Sequence, residues 1–503
     1  MQENFYKKIK KMLKIKKRKL ILIADRGSSD VSVRLGFLAS KIIKKKKIKP
    51  LILYEFKQKK ESKDIFNLFK LNNSQFIGVK IKELILLIKT LFLTFISIIK
   101  ILIFGFDWFV KSFEIEKIRL GDLIYDRYIR KGHKFVNPNC LEISFLILLF
   151  KSIFKFLLLK KIFKKNNVKY SLIGSNTYIS ISTILMRISQ FYKIPVIYVS
   201  GESYKIIRNK KEIVGDIISK FVQNQLKYSN QKRLKIDAEN YFKKRVKGKL
   251  TINKYDIKKY FDHDELNWMT SKDNNNFNKK IKIKKLNYSN TILYAPHCFA
   301  ESNHRCGDLI FRDFYQEAIE TLEFAKKQKN ILWLFKIHPY SQKRYNELKI
   351  VRKLYYKYKS PNILLVPFRC NNEKLFKLVD LVVSTRGHIC LEAATFGVRN
   401  IINSHIFYDD GKISYRAKNK NEYFKFMSNV NSLKKPDKAI IIEAKKILYF
   451  RKKLQVSNPY NLLPARKLIG KKEFYNKLKR NIKKISLAFN AKNKIYVDIV
   501  EKI

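Results

Sequence analysis

Residues 378–402 read LVDLVVSTRGHICLEAATFGVRNII. An apolar run from Leu378 to Val383, with Asp380 inside it, stops at Ser384-Thr385-Arg386-Gly387-His388. A short helix pattern follows, with Glu392 expected in its first turn. Gly397 closes that helix, and Asn400-Ile401-Ile402 opens a new strand. Strand, polar loop, helix and strand in this order make a βαβ unit, which belongs to a parallel sheet. A helix N-terminus presents backbone N–H groups and a positive dipole end. Such an end is a ready anion site, and Gly387 lets a phosphate approach the backbone. Glu392 is placed to accept hydrogen bonds from ribose hydroxyls. The competing reading is a plain strand–turn–helix whose glutamate faces water.

Residues 331–339, ILWLFKIHP, point to the same sheet. Ile331–Phe335 is continuously apolar, as expected of a parallel strand buried on both faces. Lys336 and His338 fall where that strand ends, and Pro339 stops it. In open α/β sheets ligands bind at the carboxyl ends of strands. Lys336 can hold a phosphate as a point charge, and His338 can donate to a phosphate or sugar oxygen. Taken singly, each also reads as a solvated lysine or a satisfied loop histidine.

Around these segments the chain alternates strand and helix. Leu20–Ala24 is a candidate strand, followed by the loop Asp25-Arg26-Gly27-Ser28-Ser29 and a helix with Leu35, Leu38, Ala39 and Ile42 on one face. Pro50–Tyr54 completes a βαβ opening. That loop lacks a GxGxxG fingerprint, which argues against a dinucleotide site there. Tyr170–Gly174 and Ile194–Val199 are further strands, with Ser175-Asn176-Thr177 expected to cap the intervening helix. A polar stretch at about 270–290 reads as the linker between domains. Beyond it strands and helices alternate again to about residue 403, and a helical tail follows residue 440. The pattern divides the chain into 1–280, 281–440 and 441–503.

The full chain has 503 residues, enough for two or three domains, and 46% hydrophobic residues, enough for large cores. Its net charge of +67 raises the question of nucleic acid or anionic membrane. Lysine, isoleucine, asparagine, phenylalanine and tyrosine are abundant together, as A/T-rich codons produce. The lysines are spread along the chain, and no zinc-finger or RNP-like motif is present. Nucleic acid is therefore not an expected partner, whereas an anionic membrane surface is. The five cysteines are few, odd in number and scattered, which reads as a reducing compartment. Leu20–Ala24 is too short for a signal-peptide core, so a cytoplasmic protein is expected.

Two segments bear on the membrane. Residues 84–110, LILLIKTLFLTFISIIKILIFGFDWFV, are strongly apolar, but Lys89 and Lys100 interrupt them. A spanning helix needs about 20 predominantly apolar residues, so a buried or an interfacial helix is expected here. Residues 141–164 repeat the theme, with lysines at 151, 155, 160 and 161 flanking an apolar face. That suits a helix lying on an anionic leaflet, and nearly as well a core helix.

Residues 295–339 read APHCFAESNHRCGDLIFRDFYQEAIETLEFAKKQKNILWLFKIHP. This segment resembles the C-terminal half of bacterial capsule and surface-polysaccharide biosynthesis glycosyltransferases. The shared features are the loop with His297, the helix start Phe311-Arg312-Asp313-Phe314-Tyr315, and Lys336-Ile337-His338-Pro339. Ser384-Thr385 through Glu392-Ala393 and Gly397 follow at about the expected distance. The resemblance covers 291–425, and residues 119–132, RLGDLIYDRYIRKG, resemble part of the N-terminal half. It extends to other Lys-x-His-Pro enzymes, including capsule Kdo transferases and CDP-glycerol glycerophosphotransferases. Ile337, where many members have Pro or Leu, and Asn400, near which related enzymes have Pro, depart from the pattern.

The resemblance implies an α/β chain of GT-B type, with two Rossmann-like domains whose parallel sheets face each other across a cleft. A terminal helix commonly returns to the first domain in such enzymes. It implies a glycosyltransferase, which the cysteine and lysine patterns place in the cytoplasm, peripheral on the inner face of the membrane. The donor is a nucleotide sugar, bound as substrate rather than as a resident cofactor, and the acceptor is a glycan or lipid-linked molecule. The same fold also serves glycerophosphotransferases and nucleotide-sugar epimerases. A reading of another class is a non-catalytic basic protein that binds membrane or nucleic acid. The expected donor-binding residues are Lys336, His338, Ser384, Thr385, Arg386, Gly387, His388 and Glu392. His297, after the strand Thr291–Ala295, points from the same edge. A base for the acceptor hydroxyl should come from the first domain. Asp25, Asp126 and Glu202 qualify, with Asp126 and His297 entered as catalytic candidates. Arg127 and Arg130 would bind an acidic acceptor; a structural ion pair is the competing role for Asp126. His297, Cys298, His304 and Cys306 lie close in sequence, but their spacing is not a standard zinc pattern, so no metal is expected.

Overall fold

The computed structural model describes residues 19–25, 29–55, 60–77, 79, 83–130, 132–174, 178–199, 204–208, 226–227, 230–246, 271–305, 307, 309–338, 341, 347–366, 370, 372–406, 408, 411–456, 473 and 476. Strands form from apolar runs near the sheet centres and from more polar segments at the edges. In the first half these are β1 (Lys19–Asp25), β2 (Lys49–Tyr54), β3 (Ser74–Phe76), β6 (Asn167–Ile173), β7 (Val196–Val199) and β8 (Tyr204–Ile207), with β4 (Glu114–Ile115) and β5 (Ile118–Arg119) forming a separate hairpin. The sheet order is β3-β2-β1-β6-β7-β8, parallel except for β8. Helices α1 (Ser29–Lys46) and α2 (Lys60–Leu68) cover one face. The other face carries α3 (Leu84–Ser112), α4 (Gly121–Ile129), α5 (Ile143–Lys165) and α6 (Ile181–Phe191). Helix α6 starts from a capping box at Ser180 and Thr183; the cap expected at residues 175–177 lies outside the described residues.

The second half repeats the plan. After α7 (Gln231–Val246) and α8 (Ser271–Lys285) come β9 (Asn290–Tyr294), α9 (Phe314–Lys327), β10 (Ile331–Phe335), α10 (Leu348–Tyr358), β11 (Ile363–Leu365), α11 (Asn372–Phe376), β12 (Leu381–Val383), α12 (His388–Ala394), β13 (Arg399–Ile402) and β14 (Tyr415–Arg416). The sheet order is β11-β10-β9-β12-β13-β14, parallel throughout. In both sheets, strands counted in chain order lie 3-2-1-4-5-6, the doubly wound Rossmann order. The chain is thus an α/β protein of two Rossmann-like halves, as the alternation of apolar runs and helix patterns implied.

Packing adds detail that the sequence did not yield. The polar stretch read as a linker is largely helix α8, whose Phe277 and Ile281 are buried in the second half's core. Helices α13 (Lys420–Ser428) and α14 (Lys438–Val456) close the described chain. As far as it is described, α14 packs with α7 and α12 through Ala444, Ile447 and Leu448, not on the first sheet. The two apolar segments of the first half also part ways. Helix α5 is a core helix, with Phe145, Leu149, Phe154, Phe156 and Leu159 fully buried. Three of its lysines meet carboxylates, Lys155 with Glu55, Lys160 with Glu116, and Lys161 with Glu83 at 2.5 Å, while Lys151, Lys164 and Lys165 are exposed. Helix α3 presents many of its leucines, isoleucines and phenylalanines outward, although Ile101, Phe106 and Phe109 are buried.

Between the halves, α4 is the junction. The Tyr125 hydroxyl donates to Asp313 Oδ2 at 2.6 Å. The next residue, Asp126, accepts from the His304 backbone N–H at 2.9 Å and sits 2.8 Å from His304 Nδ1. Phe135 packs on Phe299 and Tyr315.

Candidate functional site

The register of the second sheet assembles the site. Tyr294 of β9 pairs with Phe335 of β10 on one side and Val383 of β12 on the other. The three strands therefore end level, and the chain leaves each of them at one edge. His297, Lys336 and His338, and Ser384-Thr385-Arg386 are the residues that leave. Between β9 and β12 the strand order reverses, which is the switch point where such sheets bind ligands.

At this edge the imidazoles of His297 and His338 stack, with centroids 5.0 Å apart and planes 25° from parallel. Burial holds both well below the usual histidine range, at about 3, helped at His297 by the Arg386 charge and at His338 by His297. Both rings are neutral at physiological pH and can donate an N–H to an oxyanion. A group this weakly basic is poorly matched to general-base work near neutrality, so His297 suits donor contact better than proton abstraction. Lys336 is buried, and its ammonium donates to the Cys370 carbonyl at 3.3 Å. Burial lowers its pKa, while the Glu392 carboxylate pulls the other way. A desolvated ammonium at a sheet edge is stabilised by any anion that arrives beside it.

Side-chain contacts hold the loop after β12. The Thr385 hydroxyl donates to Glu317 of α9 at 2.5 Å. Arg386 donates to the Ser302 and Asn303 carbonyls and lies 4.9 Å from the Phe314 ring centroid. Ser384 is buried, and a Cβ on Gly387 would sit 2.7 Å from its hydroxyl oxygen, so only glycine fits that turn unstrained. His388 is the exposed first residue of α12. Glu392 consequently lies in the second turn, not the first, where it accepts from the Asn372 amide at 3.0 Å.

The first-half candidates are distributed differently. Asp126 is buried with both oxygens committed to His304, which fits a tether between the halves better than a base. Arg127 and Arg130 are exposed on α4, and the Arg130 guanidinium lies 4.6 Å from the Tyr178 ring centroid. Asp25 is the last residue of β1; Glu202, Pro339 and Cys306 lie outside the described residues. His304 has turned to Asp126, away from Cys298. Metal-ligand atoms of His297, Cys298 and Glu301 lie within 4.8 Å of one another. They are already engaged locally: His297 Nδ1 accepts from the Cys298 N–H at 3.0 Å, and Cys298 Sγ lies 3.0 Å from His338 Nδ1.

Several supporting groups escaped the sequence reading. Glu347 accepts from the Phe299 and Ala300 N–H groups, at 3.0 and 2.6 Å, which fixes the His297 loop. Burial pushes Glu347 and Glu317 up to about 7. A cleft of about 530 Å³ opens beside β13 and β14. Among the described residues its lining includes Lys111, Ser404, His405, Arg416, Lys418 and Lys420 and no carboxylate. Only the Lys-x-His-Pro and Ser-Thr signatures were readable in advance, because every supporting contact joins residues far apart in the chain.

No protein-family model matches the chain, nor does any curated protein sequence. Solved structures match it at low identity and low TM-score. A beta Kdo 2,4 transferase, KpsC, from Thermosulfurimonas dismutans is 12% identical, with 56% of this chain and 79% of that one covered and a TM-score of 0.32. The S. aureus MnaA–UDP structure is 12% identical over 88% and 97% of the two chains, with a TM-score of 0.27. A glycosyltransferase from Rickettsia africae is 12% identical over 94% and 99%, with a TM-score of 0.26. At these values the likeness stops short of an activity.

Proposed function

We propose that this chain is a glycosyltransferase that moves a sugar from a nucleotide-activated donor to a growing capsule or surface polysaccharide. The observation that carries the reading is Lys336, a desolvated ammonium beside two neutral, stacked histidines at the switch point of a parallel sheet. Glycosyl transfer leaves negative charge on the departing phosphate. Preorganised cations and N–H donors stabilise that charge as it develops. Lys336, His297 and His338 supply such groups. Gly387 allows close approach by the phosphate, and Glu392 is within reach of a ribose. The cleft's cationic lining suits an acidic or phosphate-bearing acceptor, with Arg127 and Arg130 as further contacts. The acceptor is glycan or lipid-linked, and the protein works in the cytoplasm on the inner face of an anionic membrane.

Calorimetric titration with nucleoside phosphates and nucleotide sugars tests the donor site. One nucleotide class should bind saturably, and Lys336→Met should weaken it about tenfold to 150-fold, the equivalent of about 1.5–3 kcal/mol for a charge-assisted contact. The same variant should melt no lower than the wild type, because it removes a buried cation. Equal binding by the variant, or no nucleotide binding by the wild type, overturns the assignment.

A further inference from the structure

Helix α3 is built inside out. At about 100° per residue, Ile85, Ile88, Phe92, Phe95, Leu102 and Ile103 share one arc, and all are exposed, Ile85 at 84%, Phe95 at 64% and Ile103 at 67%. The arc facing the protein is instead Thr90, Thr94, Ser97 and Ile101, all buried. The three hydroxyls donate to carbonyls four residues back, at 2.6, 2.7 and 2.5 Å, so they enter the packing without seeking another partner. A surface helix in water places its apolar stripe against the core. An exposed apolar face of this length marks a contact with something other than water.

Charge identifies the occupant. Lys89, half exposed and 3.5 Å from Glu116, and Lys100 lie together on one border of the apolar arc, and Lys111 stands at the C-terminal end. The one acidic residue of α3, Asp107, faces Arg312 at 3.6 Å. A second copy on this face would bring lysine towards lysine with no carboxylate of α3 left between them. An anionic leaflet supplies phosphates for the lysines and acyl chains for the arc. Phe104 and Trp108, with ring centroids 5.7 Å apart, provide the aromatic groups favoured at the headgroup level. The helix does not stand free to cross a bilayer. It lies along α5, with Phe106 and Phe109 on Phe145 at one end and Glu83 bound to Lys161 at the other. Gly105, at φ 75°, breaks it near the C-terminal end.

We infer that α3 is an in-plane anchor, its outer arc inserted at the headgroup–acyl boundary of an anionic leaflet with Lys89 and Lys100 at the phosphates. This deepens the membrane part of the proposed function and is independent of glycosyl transfer. The test is flotation of the full chain with vesicles of equimolar phosphatidylglycerol and phosphatidylcholine, and with phosphatidylcholine alone. Wild type should float with the anionic vesicles. The Phe92→Ser/Phe95→Ser double variant should lose at least about tenfold in partitioning, with an unchanged melting curve and unchanged donor binding in solution. Bromine-labelled acyl chains should quench wild-type fluorescence more than that of Trp108→Phe. Undiminished flotation of the double variant overturns the assignment to α3 while leaving a membrane partner standing. No flotation of the wild type removes both. A dimer in sedimentation that the double variant dissolves gives the face to a second copy. Resistance to alkaline carbonate extraction makes α3 a spanning helix. Each of these last two outcomes also overturns the inference.

Discussion

At the edge of the second sheet, Lys336 and Arg386 are buried and two histidines are held neutral. Along α3 of the first half, phenylalanine, leucine and isoleucine stand exposed while threonine and serine are packed inside. One region hides charge and the other displays hydrocarbon. Neither arrangement is favourable for the isolated chain, since burying unpaired charge costs free energy and so does wetting apolar surface. The contrast teaches that a departure from ordinary burial carries a sign. An anion is the proposed partner of the hidden charge, and lipid that of the displayed hydrocarbon.

The largest effect that can break the comparison lies within α3 itself. Phe109 is fully buried against Phe113 and Phe145, whereas Phe95 is 64% exposed. Phe109→Ala should cost about 3–5 kcal/mol in urea unfolding, and Phe95→Ser should stay within about 0.5 kcal/mol of wild type. Similar costs at both positions would mean that the outer arc is packed after all. A middle-sized effect sharpens the charged side. Glu392→Ala should shrink the preference for ribo- over deoxyribonucleotides by about 1–3 kcal/mol, and Glu392→Gln, which keeps hydrogen-bonding capacity, should do less. Unaltered discrimination takes Glu392 out of the site.

The smallest effect concerns pH at the seam between the halves. Burial opposes protonation of His304, but Asp126 at 2.8 Å, with Asp122 behind it, raises its pKa above 6.5. A raised folded pKa gives stability that is fully present below the unfolded value and lost as pH rises through the folded one. His304→Gln should therefore lower stability by about 1 kcal/mol at pH 6, and by less at pH 9. A gap between the two proteins that does not narrow with rising pH contradicts a charged His304–Asp126 pair.

Much of the architecture was legible because its signals are local. Ile331–Phe335 and Leu381–Val383 announce buried parallel strands by composition, and Lys336 and Ser384 announce where those strands stop. The inversion of α3 was also written in the chain, in Thr90, Thr94 and Ser97 at helical spacing within an apolar run, though hydropathy alone does not say which face turns inward. The position of Glu392 was misjudged by a turn, because α12 begins at His388 and not later. What could not be read were pairings between distant residues. Asp126 with His304, Tyr125 with Asp313 and Glu317 with Thr385 each depend on two segments meeting in the folded chain. Lysine counts did not decide between the two readings of α5, three of whose lysines proved to be ion-pair partners of Glu55, Glu83 and Glu116.

Asp313 has a consequence for how the halves work together. Besides receiving the Tyr125 hydroxyl, its carboxylate caps α9 by accepting from the Gln316 N–H at 2.7 Å. One turn along the same helix, Glu317 holds Thr385 in the loop that follows β12. Helix α4, packed beneath α3, is thereby joined to the loop after β12 by a short series of links: a hydroxyl, a capped helix turn and a carboxylate. Side chains so placed leave little slack. Tyr125 from the first half and Thr385 from the loop after β12 therefore grip the same end of α9, so that a displacement of that one helix turn is felt by both.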